Sequence, residues 1–111
     1  MAICQKRVDF LKDLFSAFGE ISVRPMFGGG GIFHEGVMFA ILADDLIYLK
    51  TDEELRPRFE AEGMLSFTYS AKGRKVVMSY WELPPRLYDE PEELAVWAEW
   101  SFRVAQKKKR G

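Results

Sequence analysis

Four consecutive glycines, Gly28-Gly29-Gly30-Gly31, invite comparison with loops that cradle phosphate through backbone N–H groups. No Lys-Ser/Thr pair follows them, as it would in a P-loop. The next residues, Ile32-Phe33-His34, read as strand, so no helix N-terminus stands behind the glycines to meet an anion. A bend or bulge in a sheet is the favoured reading. His34 is the single histidine of the chain and the obvious general base. It adjoins a turn at Glu35-Gly36, and no Ser or Cys in the sequence demands it as a partner, so an exposed turn residue is expected. Cys4 falls on the apolar stripe of the first helix, where a buried and inert thiol is expected. Asp44-Asp45 and Asp52-Glu53-Glu54 lack the ligand spacing of a calcium loop and read as turn and helix-start acids. These residues give no catalytic, cofactor or metal assignment. The rival arrangement is a small-molecule or enzymatic site in which the Gly28–Gly31 bend, Arg24 and His34 line one pocket.

Association is the other chemistry on offer. Leu94, Val96, Trp97, Trp100 and Phe102 spread too widely around the last helix for one narrow face. Exposed aromatic patches mark association surfaces, so Trp97, Trp100 and Phe102 form a candidate interaction surface, with wide burial inside the domain as the alternative. Phe10 lies off the stripe of the first helix and reads as an edge or partner contact. Lys107-Lys108-Lys109-Arg110 puts four positive charges at the end of the chain and leaves 12 Lys and Arg against 17 Asp and Glu elsewhere. An acidic body does not attract a phosphate backbone over a broad face. Four cations also complement the dipole at a helix C-terminus. A solvated helix end is therefore favoured over a nucleic-acid contact through Lys107, Lys108, Lys109 and Arg110.

A chain of 111 residues makes one domain, read as 1–106 with a basic tail at 107–111. Apolar residues at 48% and charged residues at 30% suit a soluble globular protein and argue against disorder. No apolar run approaches the ~20 residues of a membrane span. The opening Met1-Ala2-Ile3-Cys4-Gln5-Lys6-Arg7 enters a charged amphipathic stretch at once, so no signal peptide is expected. One cysteine makes no internal disulfide. A cytoplasmic address is expected.

The elements that must position these residues follow from periodicity. Cys4, Val8, Leu11, Phe15 and Phe18 recur at steps of three and four and predict a helix over 3–18, ended by Gly19. Residues 22–50 predict antiparallel strands, with Pro25 suited to an edge, Val37–Ala43 to a central position covered on both faces, and turns at Glu35-Gly36 and Asp44-Asp45. Thr51 with Glu54 is a capping-box pattern for a second helix, although Pro57 allows a later start. Residues 66–69 and 76–82 form a second hairpin joined by the polar stretch 70–74. Asp89, Pro91 and Glu92 open the last helix. Short hairpin connections give an α+β fold, an antiparallel sheet of five to six strands packed with three helices.

Arg24-x-Met26-Phe27-Gly28-Gly29-x-Gly31 resembles the opening signature of the TfoX/Sxy N-terminal domain. The likeness continues through Gly36-Val37-Met38-Phe39-Ala40, Asp44-Asp45, Tyr48-Leu49-Lys50, Glu60-Ala61-Glu62-Gly63, Lys72-Gly73 and Met78-Ser79-Tyr80-x-Glu82-x-Pro84. It covers roughly residues 8–105, and the set in this order is specific. Position 30, often a larger residue in the family, is glycine here. The resemblance implies a secretion-chaperone-like two-layer arrangement. It implies a regulator of natural competence, a non-enzymatic interaction domain that works with transcription machinery such as the cyclic-AMP receptor protein. It supplies no catalytic residues, because Arg24, Met26, Phe27, Gly28, Gly29, Gly31, Gly36, Met38 and Phe39 are types that specify a fold. The second domain of the family's namesakes is not expected in this chain. A protein partner and a symmetric homodimer are expected, with no cofactor and no membrane.

Overall fold

The computed structural model describes residues 4–26 and 29–110, apart from the side chains at 69, 71 and 108–110. A helix α1 (Gln5–Leu14) leads into strands β1 (Ser22–Met26), β2 (Gly29–His34), β3 (Val37–Ala43) and β4 (Leu46–Lys50). A short helix α2 (Arg56–Ala61) separates these from β5 (Ser66–Ala71) and β6 (Arg74–Glu82). A 3₁₀ turn (Pro85–Asp89) then feeds the long helix α3 (Pro91–Arg110). The six strands form one antiparallel sheet in the order β1-β2-β3-β4-β6-β5. The α+β class read from the sequence is the observed one.

Local chemistry sets the hairpins. The two-residue turns Glu35-Gly36, Asp44-Asp45 and Lys72-Gly73 all take positive φ at both positions, between 49° and 80°. That is the primed turn whose twist matches the flanking strands. The polar link expected over 70–74 thus shrinks to two residues. Pro25 sits on the edge strand, as its missing N–H requires. β3 is covered on both faces, with Phe39 to Ala43 all buried.

The bend expected at the glycines lies just beyond them. Ile32 pairs with Ala40 but Phe33 pairs with Met38, so Phe39 is an extra residue on β3. Phe39 and Ala40 then both join the core under the helices, while Met38, Ile41 and Ala43 belong to a cluster with Phe67, Tyr48 and Tyr80. The glycines serve close packing. A Cβ at Gly29 would lie 2.0 Å from the carbonyl oxygen of Leu42, and one at Gly31 would lie 2.8 Å from the sulfur of Met38.

Three helical expectations change. α1 stops at Leu14 and continues as turns, with the N–H groups of Phe18 and Gly19 both on the carbonyl of Phe15. Thr51 caps nothing: it is fully buried, and its hydroxyl donates to the carbonyl of Ser79 at 2.9 Å. Asp52 instead closes the turn that precedes the helix, its Oδ1 accepting from the N–H groups of Glu54 and Leu55 at 3.1 and 2.8 Å. α2 starts only at Arg56, with Pro57 in its first turn, where the ring is tolerated. Asp89 lies in the 3₁₀ turn, and Pro91 opens α3.

One guanidinium ties three segments together. Arg86, in the 3₁₀ turn, donates to both carboxylate oxygens of Glu62, to both of Glu93, and to Glu90, at 2.7–3.1 Å. Hydrogen bonding to Arg86 holds the Glu93 carboxyl down at about 2, and it lowers that of Glu62 as well.

Two outcomes follow for stability. Gly29→Ala forces β2 away from β3 and is expected to cost about 3 kcal/mol in urea unfolding, the upper range for overpacking. A depressed carboxylate stabilises the fold above its unfolded pKa of about 4.3, and that contribution is lost as pH falls through the folded value. Arg86→Met is therefore expected to lower the urea midpoint by a steady amount at neutral pH. Its gap from the parent should narrow as pH falls from about 4.5 to about 2.

Candidate interaction groove

The first two turns of α1 lean on the β3–β4 hairpin and leave a groove of about 570 Å³ between them. Leu11, Leu42 and Ile47 make a buried apolar floor, and Tyr88 also lines it. Arg7 forms an exposed ion pair with Asp45 of the β3–β4 turn, which links the helix to the hairpin. Phe10 stands on the rim with 53% of its surface exposed, beside Lys6 and Cys4. The hydroxyl of Tyr88 accepts the N–H of Ile47 at 3.1 Å. Burial raises the Tyr88 pKa above the ordinary phenol value, although the Ile47 bond opposes the shift. Tyr88 therefore stays neutral at the groove. The sequence signalled Phe10 as off-stripe. The groove itself was not visible, because it needs the 3₁₀ turn to bring Tyr88 against α1.

Cys4 is exposed and not buried, because it precedes α1 as its N-cap and so lies before the stripe begins. His34 is also not an exposed turn residue. Its ring packs between Phe18 and Phe102, with centroids 4.6 and 4.8 Å away. Its Nδ1 lies 2.6 Å from the carbonyl oxygen of Glu20, so that nitrogen carries the proton and donates. Its Nε2 is 3.5 Å from the Glu35 carboxylate. A Cβ at Gly19 would come within 2.9 Å of the ring.

Arg24 goes to the other face of the sheet. It pairs across β1–β2 with Gly31, and its guanidinium lies 4.9 Å over the Phe33 ring. His34 faces the helices, since it touches Phe102 of α3. The rival pocket built from Arg24 and His34 is thus divided by the sheet. Of its third component, the Gly28–Gly31 bend, Gly29 to Gly31 lie in β2, while Gly28 lies outside the described residues, as does Phe27 of the signature. The other signature residues do packing and turn work. Phe39 is core, Gly36 completes a turn, and Met26 and Met38 lie against the bare Cα of Gly31.

The aromatic surface expected on the last helix is mostly internal. Trp97 and Phe102 are buried, because α3 lies across β3 and β4 with α2 beside it. Trp97 packs edge-on against Phe59 and donates its indole N–H to Glu93 at 3.3 Å. Trp100 is half-buried, with the Arg58 guanidinium 4.4 Å over its ring. Val96 and Phe10 remain exposed instead. Lys107 is exposed at the end of α3, and the side chains of Lys108, Lys109 and Arg110 lie outside those described. Among the described residues no group of three or more His, Cys, Asp or Glu is placed to hold a metal ion. No helix among them is long and apolar enough to cross a membrane.

The groove separates structural from surface roles. Tyr88→Phe leaves the Ile47 N–H without its acceptor and is expected to cost about 1 kcal/mol. Phe10→Ser, on an exposed rim, should change stability by less than about 0.5 kcal/mol. Urea unfolding of both variants checks the pair.

The TfoX N-terminal domain family matches residues 13–105 of this chain. The DNA transformation protein TfoX1 of Aliivibrio fischeri (strain ATCC 700601 / ES114) is 30% identical over 86 residues, 78% of this chain and 39% of that protein. Protein Sxy of Escherichia coli (strain K12) is 23% identical over 108 residues, 97% of this chain and 52% of that protein. The chain spans about half, or less, of the length of these relatives. With the family match running from the end of α1 almost to the end of α3, the chain belongs to the TfoX N-terminal domain family.

Proposed function

We propose that this chain is a non-enzymatic regulatory domain that acts in DNA transformation by contacting another protein through the α1–β4 groove. The observation that carries the reading is the family match over residues 13–105, together with a relative named as a DNA transformation protein. The groove supplies a means of contact. It has an apolar floor, an exposed aromatic on the rim, and an ion pair that joins its two walls. A few anchor residues, often aromatic, that become fully desolvated on binding carry most of the energy in protein interfaces. Arg24 and His34, separated by the sheet, offer no competing centre. The proposed partner is transcription machinery such as the cyclic-AMP receptor protein, and a homodimer in the cytoplasm is the proposed assembly state.

Affinity capture from a native lysate, with the parent chain and Phe10→Ser as baits, tests this. The expected result is recovery of a transcription protein by the parent and at least a ten-fold loss with Phe10→Ser, about 1.4 kcal/mol at the interface. Equal recovery by both baits would move the contact off the groove. Failure of a folded parent bait to capture any transcription protein would sink the regulatory reading.

A further inference from the structure

The longest stretch of this chain without a carboxylate runs through its second hairpin. Residues 63–81 hold Lys72, Arg74 and Lys75 and not one of the 17 Asp and Glu. That stretch contains the β5–β6 hairpin. β6 pairs with β4 only at Tyr80, Trp81 and Glu82, so Arg74 to Val77 have β5 alone beside them. The register of the β5 pairing shifts between Ser66 and Thr68 as β6 bends. At the bend, the Ser79 carbonyl turns to the N–H and hydroxyl of Thr51 at 2.7 and 2.9 Å. Beyond it the hairpin is a two-stranded ribbon that ends in the tight Lys72-Gly73 turn.

One face of the ribbon is fully open. Thr68 pairs with Val77 and Ser70 with Lys75, and all four are exposed, Val77 at 69%. Lys72 and Arg74 are exposed at the tip, and among the described residues none of the three cations enters an ion pair. Elsewhere on the chain, acids outnumber cations. The arm is therefore one of two basic segments, the other being the end of α3, on a body in which acids otherwise outnumber cations, and that contrast favours approach of a polyanion to the tip over the acidic surface.

We infer that the β5–β6 ribbon binds the phosphate backbone of duplex DNA, with Lys72, Arg74 and Lys75 as the cationic contacts and Thr68 and Ser70 as hydroxyl donors. A two-stranded ribbon has the width that the major groove of B-form DNA admits. Lysine, arginine, serine and threonine are the side chains that hold phosphate oxygens. The assigned contacts are to phosphate oxygens, which carry no sequence information, so the binding is independent of sequence. Three contacts make it weak and steeply dependent on salt. This inference does not rest on the groove: a chain that captures no protein can still bind DNA through the arm.

Fluorescence anisotropy with a labelled duplex of about 20 base pairs, titrated across a salt series, tests the assignment. The variant Lys72→Ala/Arg74→Ala/Lys75→Ala is expected to bind at least about ten-fold more weakly at about 50 mM salt. Its plot of log K against log salt should be shallower by about 2.7, or about 0.9 for each phosphate no longer neutralised. Lys75→Gln alone should flatten it by about 0.9, which keeps the test alive if the triple variant melts early. Parent-like binding by the folded arm variants overturns the inference, as does failure of the parent to bind at low salt. Loss of binding only when Lys107, Lys108, Lys109 and Arg110 are replaced by alanine would assign the contact to the tail and overturn the inference too. Binding of a polyglutamate peptide through the arm as tightly as the duplex would make it a site for acidic protein segments, and would equally overturn the assignment to DNA.

Discussion

β3 carries one more residue than β2 opposite it, and the placement of the core rings follows from that. With Phe39 left unpaired, two neighbouring residues of β3 turn toward the helices instead of one. The Phe39 ring comes 5.6 Å from Phe15 and 5.1 Å from Phe18, and Phe18 in turn meets Phe102 and His34. One aromatic cluster thereby joins the turns after α1, the end of β2, the middle of the sheet and α3. Beyond the extra residue, Ile41 and Ala43 point the other way and are buried by side chains of the sheet itself. Met38 points the same way, and it fits because Gly31 beside it has no Cβ. Each buried ring or aliphatic side chain is worth roughly 2 kcal/mol of transfer free energy, so the extra residue determines where much of the stability resides.

Where the sequence was legible, the signals were local. Pro25 named an edge because a missing donor is tolerable only there. The pairs at 35–36 and 44–45 named turns, and the apolar run from Val37 to Ala43 named a strand covered on both sides. Where it failed, a distant partner decided the outcome. Thr51 looked like a helix cap but was claimed by Ser79, 28 residues further on. His34 looked like a turn residue but was drawn inward by the Glu20 carbonyl and two phenylalanines. Trp97 and Phe102 spread around their helix because α3 is covered by the sheet and by α2, which no periodicity on α3 alone reports. The groove needed three separate segments in place. The basic hairpin, by contrast, was open to inspection as a stretch without carboxylates, a signal masked by the near-neutral total charge.

Electrostatics divides the domain by task. Around Arg86 the acids work inside the fold: carboxylates from the end of α2, from the 3₁₀ turn's exit and from the start of α3 share one guanidinium. The planar fork of arginine suits this sharing, since lysine could not serve two carboxylates bidentately. At Arg7 and Asp45 a single exposed pair links α1 to the β3–β4 turn. At the β5–β6 arm the cations enter no ion pair among the described residues. Charge paired inside the fold joins its segments, and the arm's cations are those assigned to the inferred contact with DNA.

The distribution of indoles gives the molecule an uneven optical signature. Its three tryptophans lie on β6 and α3: Trp81 opposite Leu49, Trp97 against Phe59, and Trp100 beneath Arg58. The end of the core formed by α1, β1 and β2 holds phenylalanine and no indole. Tryptophan emission consequently follows the docking of α2 on α3 and is blind to fraying of α1. Emission and a backbone probe such as far-ultraviolet dichroism report on different halves of one small domain. Coincidence of the two during denaturation would be direct evidence that the aromatic cluster couples those halves into a single cooperative unit.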